Sequence, residues 1–253
     1  MTSADTATNQ GRGRFRRLAR AVVYGLVVAV VVMSLAFLIR SQFDPLIDAD
    51  KAAILSATNV TRDHPSLLHF FLAWQRLSSP TYVYAVATLV CLWVWRRHHL
   101  TTRALWAFVT MMVGWNVALD CKYLVQRARP IVADPVSHAP GYSFPSGHAA
   151  NATIGATALV VLLWPILQRR AARVVAITVA ALFVLVTCLD RVFLGVHFPS
   201  DVVGGVLLGT GLVGASYLGY VDWRPPALDP GTDVDPAHDP KPQPHTAARK
   251  EPT

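Results

Sequence analysis

Phe144-Pro145-Ser146-Gly147-His148 stands just before an apolar run and reads as the start of a helix. Pro and Ser favour the first positions of a helix, where backbone N–H groups have no internal partner. Gly147 lets a ligand approach the backbone closely. Free N–H groups and the positive end of the helix dipole favour an anion such as phosphate. His148 sets an imidazole at the same spot, able to give or take a proton near neutral pH. Two cationic stretches accompany it: Lys122 to Arg129-Pro130 upstream, and Arg191 to His197 and Asp201 downstream.

The spacings are specific. Lys122 and Arg129 are seven apart, two helical turns on one face, and Pro130 predicts a helix end at Arg129. His197 and Asp201 are four apart, so the carboxylate can reach the imidazole across one turn. Pro199 between them is tolerated in a first helical turn. Each residue alone has a plainer reading. The three cations could be interfacial anchors, the histidines satisfied polar groups, and Asp201 an N-cap. In this order and at these spacings they make one constellation: three cations, two imidazoles and a carboxylate at the ends of apolar runs.

Those runs are the elements that must position the site. The chain has 253 residues, 53% apolar and 15% charged, against about a quarter charged in soluble domains. The runs are long blocks and not amphipathic stripes, the composition of a polytopic membrane protein. Six stretches, 21–39, 79–95, 105–121, 149–167, 171–189 and 202–221, are each long enough to cross a ~30 Å hydrocarbon core. The expected fold is therefore all-α, a bundle of six transmembrane helices. The net charge of +8 does not point to nucleic acid, because Lys and Arg punctuate the apolar runs. Gly205 and Gly209 in the last run have the small-xxx-small spacing for close helix packing. The expected partner is the bilayer; the sequence is silent on oligomeric state.

The flanks divide the chain into three parts. Residues 1–20 are polar then basic, with no small-residue cleavage site after the following run, so that run reads as an uncleaved first helix. Residues 21–221 form the membrane domain. Residues 222–253 hold eight prolines and read as a disordered tail. Between the first two runs, apolar residues from Leu67 to Leu77 at helical spacing read as an amphipathic helix, lying at the membrane surface or packed onto the bundle. Cys91, Cys121 and Cys188 read as small buried hydrophobes. Six crossings put both termini on one side. The loops on that side carry fifteen Lys and Arg and the opposite side eight, which predicts cytoplasmic termini and the three motifs together on the exterior face.

The three motifs resemble the signature of the type 2 phosphatidic acid phosphatase family, which shares its site with vanadium-dependent haloperoxidases. The resemblance covers roughly 79–221. Lys122 to Pro130, Pro145 to His148 and Arg191 to Asp201 match; Asp190 stands where the family has Ser, and is expected to point away from a phosphate or to pair with a cation. The resemblance implies His197 as nucleophile forming a phosphohistidine, Asp201 orienting it, and His148 protonating the leaving oxygen and then activating water. It implies Lys122, Arg129, Arg191, Ser146 and the Gly147 N–H as the phosphate cradle. Neither a cofactor nor a metal is expected, since a cationic pocket can supply the charge stabilisation. The implied activity is hydrolysis of a lipid phosphate, with polyprenyl diphosphate placed ahead of phosphatidic acid and phosphatidylglycerol phosphate. Arg127 is a candidate fourth cation for a second phosphate, or else a membrane-surface anchor. A haloperoxidase and a non-catalytic lipid-binding or transport protein are the remoter alternatives.

Overall fold

The structure, a computed structural model, describes residues 3–131 and 140–220. Its eight described helices are α1 (Ser3–Arg40), α2 (Asp44–Asp63), α3 (Pro65–Leu77), α4 (Pro80–His98), α5 (Thr101–Val125), α6 (Gly147–Leu163), α7 (Arg170–Phe193) and α8 (Pro199–Tyr220). The expected Pro-rich tail lies outside the described residues.

The six apolar runs fall on α1, α4, α5, α6, α7 and α8. By length and composition, α1 from Gly13, α5, α7 and α8 each suffice to cross a membrane. α3 and α4 pass together as a pair bent by 51°, and α6 is a shorter apolar helix. Its 17 residues end at Leu163 and not at Leu167, because Pro165 cannot continue a helix. α1 runs without a break through the basic N-terminal segment. α4 has Pro80 in its first turn and Arg96, Arg97 and His98 in its last, with His99 left-handed at the cap. Pro is pre-shaped for the first turn and cations suit the dipole at the last.

Exposed apolar side chains cover the outward faces of α1, α4, α5 and α7, as in a chain whose solvent is lipid. Small residues set the inner contacts. A Cβ on Gly205 would come within 2.7 Å of the Ser146 carbonyl, and one on Gly209 within 2.9 Å of the Ala150 carbonyl. The spacing read from the sequence therefore seats α8 directly on the start of α6. Tyr84 of α4 donates to Asn151 Oδ1 at 2.6 Å, and Asn151 Nδ2 donates to the Gly147 carbonyl at 2.8 Å. These bonds fix the beginning of α6 from two sides.

The amphipathic helix is present as α3, packed on the bundle. Phe71 is buried with Leu194 and Val196, and Trp74 Nε1 donates to Thr187 Oγ1 of α7 at 3.1 Å.

Candidate active site

The C-terminal ends of α5 and α7 and the N-terminal ends of α6 and α8 meet at one end of the bundle. Between them lies a cavity of 210 Å³, lined by Lys122, Arg129, Gly147, His148, Arg191 and His197, with Trp115 and Asn151 beside them. Asp201 is fully buried behind His197. Ser146 is also fully buried, and its Oγ has no hydrogen-bond partner among the described residues. All eight residues singled out in the sequence are thus gathered at one place.

The route by which Lys122 and Arg129 arrive differs from expectation. α5 ends at Val125, and Gln126 caps it in the left-handed region at φ 53°. The two cations therefore do not share a helix face. Pro130 restrains only Arg129, and the helix has already stopped four residues earlier. Arg127 to Arg129 run on as a non-helical segment, secured by the Ser143 N–H on the Arg127 carbonyl at 2.8 Å. Lys122 Nζ donates to the Tyr142 carbonyl at 2.8 Å. Arg129 donates through Nε to the Gly141 carbonyl and through Nη2 to the Pro140 carbonyl, each at 3.0 Å. Its Nη1 donates to the Val196 carbonyl at 2.8 Å and faces His197 Nε2 at 3.2 Å. A phosphate entering the cavity would compete with the carbonyls of the 140–142 stretch for these cations.

His197 sits in the turn between α7 and α8. Its Nδ1 faces Asp201 Oδ2 at 3.5 Å and Ser143 Oγ at 3.4 Å. An Arg N–H on Nε2 needs a lone pair there, which assigns the ring proton to Nδ1. Burial pushes the imidazole down to about 4, and nearby Arg129 and Lys122 add to this against the opposing pull of Asp201. The ring is neutral at physiological pH, with its lone pair facing the cavity.

Asp201 is held on both oxygens. Oδ2 accepts from Ser143 Oγ and from the Phe198 N–H at 2.9 Å. Oδ1 accepts from Arg127 Nη1 at 2.6 Å. Ser143 and Arg127 were not assigned this task from the sequence. Ser143 is 58 residues from Asp201 and belongs to no motif, so no local signal marks it. Arg127 is neither a free fourth cation nor a surface anchor. It is buried, and its guanidinium lies over the Phe198 ring at 4.2 Å.

Asp190 pairs with a cation, as its position required. Its Oδ2 accepts from Arg191 Nε at 2.7 Å and from Nη2, which also donates to Gln75 Oε1 at 3.1 Å. The pairing orients the Arg191 fork and cancels its charge within the pocket.

Residues 116–225 match the sequence profile of the PAP2 superfamily. The chain is 37% identical over 91 residues to phosphatidylglycerophosphatase B of Bacillus subtilis, covering 35% of this chain and 43% of that one. It is 37% identical over 100 residues to decaprenylphosphoryl-5-phosphoribose phosphatase of Mycobacterium tuberculosis, covering 38% and 50%. It is 30% identical over 128 residues to the putative undecaprenyl-diphosphatase YbjG of Escherichia coli, covering 47% and 58%. The chain thus spans about half the length of the curated relatives it matches. In fold it resembles the crystal structure of a transmembrane PAP2 type phosphatidylglycerolphosphate phosphatase from Bacillus subtilis. The TM-score is 0.68 at 22% identity, over 76% of this chain and 93% of that one. The matched residues enclose all three motifs, and the fold agrees with them: residues 116–225 are similar to the PAP2 superfamily, the type 2 phosphatidic acid phosphatase family that the motifs resemble.

Proposed function

We propose that this multi-pass membrane protein is a lipid phosphate phosphatase that works through a phosphohistidine on His197. The observation that carries the reading is the placement of the His197 ring, with Nε2 toward a cavity shared with His148 and three cations and Nδ1 toward Asp201. Relatives that match part of this chain are named as phosphatases or as a putative diphosphatase.

In the first step His197 Nε2 attacks phosphorus while the bond from phosphorus to the leaving oxygen breaks. His148, protonated once a bound phosphate anion offsets the repulsion of Arg191 and Lys122, supplies the proton to that oxygen. Lys122, Arg129, Arg191, Ser146 Oγ and the Gly147 N–H stabilise the non-bridging oxygens. Asp201 keeps the Nδ1 proton in place and balances the positive ring. In the second step His148 takes a proton from water, the water oxygen bonds to phosphorus, and the N–P bond breaks to release inorganic phosphate and restore the ring. The cationic cradle supplies the charge stabilisation, and no metal has a part in the reading.

For substrate, the favoured reading is a polyprenyl diphosphate, with phosphatidic acid and phosphatidylglycerol phosphate as alternatives. Arg127 no longer supports the choice, because its guanidinium is consumed by Asp50 and Asp201. The remaining support is chemical: a phosphate monoester leaves more readily than a lipid alkoxide. The cell membrane is the proposed location, with the site on the exterior face and the termini in the cytoplasm. This rests on the loop charge asymmetry and on the site elements sharing one end of the bundle.

Phosphate release from the detergent-solubilised protein, measured on a panel of lipid mono- and diphosphates with and without EDTA, tests the reading. Release that persists in EDTA, is inhibited by vanadate and disappears in His197→Ala is expected. Bromide oxidation in added vanadate without phosphate release would replace it with the haloperoxidase reading. A reporter fused after Arg97 should read cytoplasmic, and one inserted at Ser137 exterior.

A further inference from the structure

The catalytic carboxylate is part of a buried charge network that reaches out of the PAP2 motifs. Asp50, in the second turn of α2, is 3% exposed, Arg127 is 8% exposed and Asp201 is fully buried. Arg127 Nη1 donates to Asp201 Oδ1 at 2.6 Å, and Nη2 donates to Asp50 Oδ2 at 2.7 Å. Nη1 also donates to Ser200 Oγ at 2.7 Å. Asp50 in turn accepts from the Ser200 N–H at 3.0 Å and from Ser200 Oγ. Ser200 immediately precedes Asp201, so α2 grips the first turn of α8 through both backbone and side chain.

Within this set only Asp201 occupies a position that the signature specifies; Arg127 and Ser200 fall at its variable positions and Asp50 lies outside it, and neither Asp50 nor Arg127 lines the cavity. Buried charges are costly, and a buried set of this kind survives only where its geometry is fully satisfied. Here two carboxylates face one guanidinium, leaving one net negative charge. The nearest group that becomes positive is His197, whose Nδ1 is 3.5 Å from the far oxygen of Asp201. The excess charge is located where a phosphorylated imidazole would need it.

We propose that Asp50 and Arg127 are positioning residues for the reaction: through Asp201 they fix the carboxylate behind His197 and set its charge. The inference rests on the phosphatase reading above. Arg127 holds Oδ1, so Oδ2 stays turned to the ring. Asp50 holds Arg127 and keeps the network anionic. If Arg127 alone faced Asp201, the pair would be neutral and would stabilise the imidazolium less. Because neither residue touches the substrate space, their loss should slow the chemical step and leave binding alone.

The test uses the full-length protein in detergent, with kcat and KM for one lipid monophosphate and one lipid diphosphate. Variants are Asp50→Asn, Arg127→Lys, Arg127→Ala, Asp201→Asn and the double variant Arg127→Ala/Asp201→Asn. Arg127→Ala is expected to lose at least tenfold in kcat for both substrates, with KM changed less than twofold. Asp50→Asn should lose about threefold to tenfold in the same manner. The double variant should be no slower than Asp201→Asn within about twofold, since Arg127 acts through that carboxylate. Where Arg127→Ala does not fold, Arg127→Lys and Asp50→Asn carry the comparison at equal thermal midpoint. A rise in KM confined to the diphosphate would make Arg127 a substrate contact and overturn the proposal. Independent, multiplicative losses in the double variant would overturn it as well. Absence of phosphate release from the wild-type protein is a different outcome, which would remove the phosphatase reading itself.

Discussion

Arg129 Nη1 lies 3.2 Å from His197 Nε2 while also donating to the Val196 carbonyl. One guanidinium thus fixes the tautomer of the proposed nucleophile and the turn that carries it. Lys offers the charge but not the planar fork, and cannot serve Pro140, Gly141, Val196 and His197 together. Arg129→Lys is expected to lower kcat by roughly tenfold to a hundredfold, as for the loss of one preorganised charge contact. Turnover within twofold of wild type would show that charge alone suffices.

The neutral state of His197 has a direct spectroscopic consequence. Burial, with Arg129 and Lys122 in support, takes its imidazole to about 4, against the pull of Asp201. The sign is that of a depressed base: the lone pair persists as pH falls and is lost only as pH approaches that value. Imidazole ¹⁵N shifts, assigned by comparison with His197→Ala, should show a neutral Nδ1–H ring at every pH above about 5. A titration midpoint near the ordinary value of about 6.5 would remove burial as the controlling effect.

Ser143 shows what was hidden in the sequence and why. The motif residues were legible because their chemistry is local: His197 and Asp201 are one turn apart, and Ser146 and His148 flank a helix start. The apolar runs likewise gave the helices, since length and composition are read residue by residue. Ser143, Asp50 and Arg127 take their roles from partners 58 to 150 residues away, and a serine or an aspartate carries no mark of such a distant partner. The end of α5 was missed for another reason: Gln126 adopts a left-handed cap that its residue type does not announce.

The role of Ser143 is measurable. Its hydroxyl donates to Asp201 Oδ2 and faces His197 Nδ1 at 3.4 Å. Ser143→Ala removes a buried bond to a charged group, worth about 1.5–3 kcal/mol. Asp201 retains the Phe198 N–H and Arg127, so the protein should still fold. We expect kcat to fall by about tenfold, with KM unchanged. Ser143→Thr keeps the hydroxyl and should recover part of the loss; an alanine variant with full kcat would make Ser143 a bystander.

Close packing of α8 on α6 transmits to the site. A methyl group on Gly205 would stand 2.7 Å from the Ser146 carbonyl, an atom of the backbone with little room to yield. Gly205→Ala should cost about 1–3 kcal/mol of stability, the usual range for overpacking. Because the displaced carbonyl shares a peptide unit with the Gly147 N–H of the proposed phosphate cradle, activity should fall further than the thermal midpoint alone explains. An unchanged midpoint and unchanged turnover would mean the two helices can separate without consequence.

Asp190 offers the clearest test of pocket charge. It is fully buried, binds Arg191 through Nε and Nη2, and leaves Oδ1 without a partner among the described residues. Asp190→Ser removes the carboxylate that neutralises one of the three cavity cations. The pocket then carries a net additional positive charge toward any phosphate or vanadate, at the low effective dielectric of a buried site. Arg191 retains Gln75 Oε1 as an anchor at 3.1 Å. Vanadate and inorganic phosphate are therefore expected to inhibit Asp190→Ser at about tenfold lower concentration than wild type, one step of roughly 1.4 kcal/mol. Tighter product binding should also slow phosphate release, so kcat falls or stays level while KM drops. Weaker inhibition than in the wild type would mean that Asp190 acts chiefly by aiming the Arg191 guanidinium, and that its negative charge is the lesser effect.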